Sequence, residues 1–213
     1  MPSVSQSVNR LILVTLAAAV LAIAAAYFLF PIHARLGGAL GLAFWIGATL
    51  LASALPVPLP RGTVVSVAAG PMIAVMILGG PLAAGLVGLI GTTDSREVRG
   101  RVPWYGTVYN HASAVIAVVL GGVVLEFLTR VLTPVMQAEL ASFVSAIFGA
   151  AAFLFASWYL ALTAVSVRTG TPMRTIWAQD VTGVAANFVG LAPLAWLMAQ
   201  VFMLPNGVGW WAT

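Results

Sequence analysis

Six side chains able to carry charge fall within GTTDSREVRGRVPWYGTVYNH, residues 91–111: Asp94, Arg96, Glu97, Arg99, Arg101 and His111. Two carboxylates and an imidazole could move protons, and three arginines could clamp an anion. The plainer reading is a solvated loop of alternating sign, whose exposed ion pairs are worth roughly 0–1 kcal/mol each. Next to a bilayer, Arg96, Arg99 and Arg101 would also attract anionic headgroups, at about 1 kcal/mol per basic residue. The cluster does not have the form of a metal triad, because His111 lies well beyond Asp94 in the chain. Asn110 and His111 sit about one turn into a helix, where polar groups in apolar surroundings face the bundle interior. With Asn187 they form a candidate polar spot for ligand or proton sensing. No catalytic residue is assigned, since no nucleophile stands ready for His111 to serve as base. No metal site and no cofactor is expected either. Phosphate loops, zinc helices and serine elbows are absent, and GLVGLIG (85–91) lies in an apolar run without a βαβ context.

The elements that must hold these residues are apolar. The 213 residues are 62% hydrophobic and 7% charged, against about 25% charged in soluble domains. LILVTLAAAVLAIAAAYFLF (11–30) is long enough to cross a bilayer, which takes about 20 apolar residues. With no cysteine, disulfides and thiolate sites are excluded. All nine basic residues are arginine, which points to a high-GC bacterial genome. The net charge of +4 is read as loop anchoring on one side of a membrane, not as a nucleic-acid surface.

The fold expected is an all-α integral membrane bundle, one domain over 1–213, with five full spans plus a short Pro/Gly-broken helix pair, six to seven helices in all. The spans fall near 11–30, 38–55, 106–128, 141–165 and 181–203. The pair, 64–78 and 79–91, is either two short spans or one re-entrant hairpin. Trp104, Tyr105, Trp210 and Trp211 suit the membrane interface. His33 reads as solvated, Glu126 as the partner of Arg130 four residues on, and Asp180 as a helix cap. Small residues such as Gly121, Gly122 and Gly149 allow close helix contact. With the N-terminus in the cytoplasm, Arg10, Arg61, Arg96, Arg99, Arg101, Arg168 and Arg174 lie inside and only Arg35 and Arg130 outside. That topology leaves the C-terminus outside, so a final crossing is expected beyond this sequence.

LPVPLPRG (55–62), the short apolar pair and the arginine-rich loop leading to PWYGTVYN (103–110) together resemble the N-terminal membrane region of bacterial signalling proteins with a C-terminal HD-GYP, HD phosphohydrolase or GGDEF domain. The resemblance implies a sensory or anchoring domain in the bacterial inner membrane, non-catalytic by itself. Its implied partners are the bilayer, a C-terminal cytoplasmic output domain or a separate signalling partner, and a second copy as a homodimer. A looser resemblance, to substrate-binding components of energy-coupling-factor vitamin transporters, implies small-molecule transport instead.

Overall fold

The structure, a computed structural model, describes residues 5–55, 57, 58, 64, 65 and 67–204, with side chains for all of these except 57, 58, 64, 65 and 178–190. Among the described residues seven α-helices follow one another: α1 Gln6–Leu29, α2 Gly38–Ala54, α3 Ala69–Gly91, α4 Ser95–Val98, α5 Trp104–Leu132, α6 Ala138–Thr169 and α7 Met173–Phe202. A 3-10 turn, Ala34–Leu36, precedes α2. Two-residue strands, β1 Val57–Pro58 and β2 Val64–Val65, pair antiparallel between α2 and α3.

Four of these helices, α1, α3, α5 and α6, are long and apolar enough to cross a membrane. The sequence suggested five full spans. Among the described residues α2 is shorter, and α7 offers the shorter apolar stretch Leu191–Phe202. The connections are also tighter than expected. The polar segment 166–175 shrinks because α6 continues to Thr169, where Gly170 in the left-handed region (φ 71°) ends it. α7 then begins at Met173 and runs through IWAQD (176–180), so Asp180 stands within the helix, whose N-cap is Pro172.

α3 is the centre of the molecule, with every residue from Ala69 to Gly85 buried. Its two faces do not differ in hydrophobicity because α2, α5 and α7 cover most of both, and only near its end are Leu89 and Ile90 exposed. The expected break within 64–91 falls at Gly80, whose φ of 76° and ψ of −173° lie outside the helical region. Only glycine takes up such a conformation readily. Pro81 then opens the second half, where its missing amide costs nothing. By contrast α1 lies on the outside, with Leu13, Val20, Leu21 and Phe28 all more than half exposed.

Close backbone approach explains the small residues of α5. A Cβ on Gly121 would come within 2.6 Å of the Phe153 Cβ and 2.7 Å of the Gly149 carbonyl oxygen. α5 and α6 therefore meet nearly backbone to backbone. On the other side, a Cβ on Gly122 would stand 2.9 Å from the Pro81 Cα. Trp45 of α2, wholly buried, joins the far end of the bundle, its ring 5.3 Å from that of Phe202.

Gly121→Val is expected to destabilise the fold by about 1–3 kcal/mol, the usual cost of overpacking. Gly47→Ala, whose added methyl meets nothing within 4 Å, should be neutral or stabilising by up to about 1 kcal/mol. Thermal unfolding in detergent, read on both variants, checks the contrast.

Candidate functional site

A helix ends with four carbonyls that have no partner within the helix. At the end of α3 each of the four is taken by a side chain. The Thr92 hydroxyl donates to Gly88 O at 2.7 Å, the Thr93 hydroxyl to Ile90 O at 2.8 Å and the Ser53 hydroxyl of α2 to Gly91 O at 2.9 Å. The fourth, Leu89 O, is met by Nδ1 of His111 on α5. A carbonyl can only accept, so this contact puts a proton on Nδ1.

The other imidazole nitrogen decides the chemistry. His111 Nε2 lies 3.0 Å from Oε2 of Glu97, and the two side chains are only 16% and 5% exposed. With Nδ1 already donating, Nε2 has a hydrogen on it only in the imidazolium form. The short contact therefore requires one further proton, on the imidazole or on the carboxyl group. Asn110 donates from Nδ2 to the other Glu97 oxygen at 3.1 Å. Glu97 is thus held on both oxygens by consecutive residues of α5.

What presents Glu97 is α4, a single turn closed by a capping box. The Asp94 carboxylate accepts from Arg96 N at 2.7 Å, and Glu97 Oε2 accepts from Asp94 N at 3.5 Å. Arg96 folds back on Asp94, Nη2 to Oδ2 at 2.6 Å. Hydrogen bonds from Arg96 hold the Asp94 carboxyl below the usual carboxylate range, against a smaller upward push from burial. The sequence suggested a solvated loop here, and the outer half fits: Arg99 and Arg101 are exposed and, among the described residues, stand in no ion pair. Glu97 does not fit. Its burial under α5 was missed, although Asp94-x-x-Glu97 is a visible capping-box signature that would have folded the segment and turned Glu97 towards its own backbone.

A second histidine–glutamate contact lies near the other end of α5. His33 is not merely solvated: its backbone N–H donates to Gly79 O at 3.4 Å and its Nε2 is 3.5 Å from Glu126 Oε2. Glu126 also takes the expected pair with Arg130, at 3.1 Å. Arg35 Nη2 reaches His33 Nδ1 at 3.5 Å. A guanidinium only donates, so Nδ1 accepts and the ring hydrogen sits on Nε2, facing the carboxylate. Here a neutral imidazole satisfies both partners. Burial pushes His33 below its ordinary value of 6.5, Glu126 opposing and Arg35 and Arg130 adding to the shift. The ring also covers the α3 break, where a Cβ on Gly80 would be 3.3 Å from it.

Of the expected polar spot, Asn110 and His111 are brought together. The side chain of Asn187 lies outside the described residues, as do Trp210 and Trp211. Trp104 is exposed at the start of α5, with Tyr105 edge-on to it, ring centroids 6.0 Å apart. No group of three metal-ligating side chains occurs among the described residues; Glu97 and His111 supply two ligands at most. The arrangement can pin α4 to α5 through a contact that needs one shared hydrogen.

Compared with family models, with curated proteins and with solved structures, the chain matches none, so its role is argued from this geometry. Glu97→Ala should lower the local opening free energy of 94–101 by about 1.5–3 kcal/mol, the worth of hydrogen bonds to a charged group, read by hydrogen exchange. The His33 direction gives a second expectation. A histidine whose folded pKa is depressed binds its proton more readily when unfolded, so stability falls as pH drops below about 6.5. Melting temperature against pH should show this loss, and His33→Gln should flatten it.

Proposed function

We propose that the chain is a multi-pass membrane sensor or anchor module of a bacterial signalling protein, set in the inner membrane with its arginine-rich end in the cytosol, and that any catalysis lies in an attached domain or partner. Four long apolar helices and the lipid-like exposure of α1 support the membrane setting. Charge supports the orientation. α1 and α5 run parallel, since Phe30 and His33 meet Arg130 and Glu126, whereas α6 and α7 each reverse direction. One end of the bundle therefore gathers Arg10, Arg96, Arg99, Arg101, Arg168 and Arg174, and the other Arg35 and Arg130. Such a bias favours the richer end inside.

The observation that carries the sensing role is the His111–Glu97 contact. It ties the segment nearest a cytosolic partner to the membrane helices, and it needs one proton to exist. With that proton gone, an imidazole lone pair faces a carboxylate, the contact becomes repulsive, and α4 is released from α5. A signal arriving through α5 or through the local proton activity thus has a route to the cytosolic surface. The resemblance of residues 55–111 to membrane regions of cyclic-dinucleotide signalling proteins agrees with this role.

A second reading is a small-molecule transporter or its binding component. Its support is the break at Gly80 within a buried helix, the kind of discontinuity around which transporters build their sites. Uptake of a substrate by vesicles, abolished by Gly80→Ala, would favour it over the sensor reading.

Reporter fusions after residues 98 and 170 should both report the cytosol. The chain lacks cysteine, so Ser95→Cys takes a single spin label. In liposomes that label should be ordered at mildly acidic pH and mobile at alkaline pH, and His111→Ala should leave it mobile throughout. A label indifferent to pH in the otherwise unaltered chain would remove the sensing role.

A further inference from the structure

A groove of about 820 Å³ runs along the outside of the bundle between α1, the second half of α3 and the first turns of α5. Val20, Ile23, Leu86 and Val115 are among its walls, and Thr107 and His111 border it on α5 through carbon, so the groove wall is apolar throughout. Its volume falls within the roughly 300–1,000 Å³ typical of ligand sites. Along α1 it extends from Leu16 to Phe28, which at 1.5 Å per residue is about 18 Å. One leaflet of a hydrocarbon core about 30 Å thick supplies a chain of about 15 Å. The length is that of one acyl tail.

Charge selects the lipid class. At the end of the bundle where α5 begins, both described acids of the loop are engaged, Asp94 with Arg96 and Glu97 with His111. Arg99 and Arg101 remain exposed, a few residues ahead of Thr107 on the groove. Arg10 lies on α1 a turn and a half before Leu16. A phosphate held at that end with its tail in the groove meets positive charge and carbon in the order that an anionic phospholipid presents them.

We propose that this groove holds one acyl chain of an anionic phospholipid whose headgroup is attracted by Arg99 and Arg101. The tail would lie against Leu89 and His111, both groove residues and both part of the carbonyl contact that closes α3. Lipid occupancy would therefore bear directly on the position of the His111 ring. This inference rests on the membrane setting proposed above.

The test is native mass spectrometry of the full chain, purified in detergent and supplied with phosphatidylglycerol or phosphatidylcholine. One phosphatidylglycerol per chain should survive activation that strips phosphatidylcholine, a preference of at least about tenfold given two arginines at about 1 kcal/mol each. Val20→Trp fills the groove from a position already 60% exposed and should abolish retention. Leu13→Trp, exposed on α1 but outside the groove, should leave it intact. Arg99→Gln with Arg101→Gln should erase the preference for the anionic lipid. Equal retention of both lipids by the parent chain overturns the proposal, as does unchanged retention in Val20→Trp. A chain dimer abolished by Val20→Trp would seat a second copy in the groove and overturn it too. Release of the chain from membranes by alkaline carbonate would sink the membrane setting and the lipid site together. A detergent-requiring chain that holds no phosphatidylglycerol would sink the lipid site alone.

Discussion

Backbone carbonyls left over at a helix end must find donors, and in apolar surroundings the shortfall costs several kcal/mol each. The organisation of this protein follows from how α3 meets that demand. Its final four carbonyls draw in Ser53 from α2, Thr92 and Thr93 from the turn that follows, and His111 from α5. Two segments distant in sequence, α2 and α5, are thereby fixed around one helix terminus. The imidazole is the odd member. The Ser53 and Thr93 hydroxyls each serve one carbonyl and Thr92 also meets His111 Nδ1 at 3.4 Å, whereas His111 has a second nitrogen left over. That nitrogen reaches Glu97, so a purely structural requirement places a protonatable contact at the edge of the bundle.

The two histidines show how the same ring acquires opposite characters from its neighbours. At His33 a guanidinium donates to one nitrogen and a carboxylate stands opposite the other, so the neutral ring is complete. At His111 a carbonyl claims the hydrogen of one nitrogen and a carboxylate stands at the second, so a neutral ring beside that carboxylate is one hydrogen short. Burial favours neutrality at the first site and leaves a proton to be shared at the second. His33 meets α3 at the break, Gly79 and Gly80, and His111 meets it at Leu89, so the half-helix 81–91 is bracketed by two histidines of unlike hydrogen-bond demand.

Much of this was legible in the sequence. Composition and run length gave the helical class, GGP gave the break, and the glycines of α5 gave close contact. Asn110 and His111 stood out because polar groups one turn into an apolar helix need a reason to be there. Span count was less legible, because α1 and α3 differ in burial more than in hydropathy: α3 is apolar as protein core and α1 as outer surface, and composition cannot tell the two apart. The loop was misread for a different reason. Alternating charges normally mean solvent, and nothing in SREVRGR (95–101) tells Glu97 from its neighbours except the capping spacing to Asp94. Its true partners lie on α5, reached only once α3 has ended where it does. Ser53, serving a carbonyl 38 residues away, carries no sequence signal at all.

The near-contact of backbones at Gly121 and Gly149 has a mechanical consequence. Glycine at both positions lets Phe153 and Leu125 key into the facing backbone, so α5 and α6 are joined there as one rod. Mounted on that rod are His111 and Glu126, about 22 Å apart at 1.5 Å per residue, each engaged with a different histidine–glutamate contact. An axial shift of the rod would bear on both contacts at once, since one helix carries a partner in each.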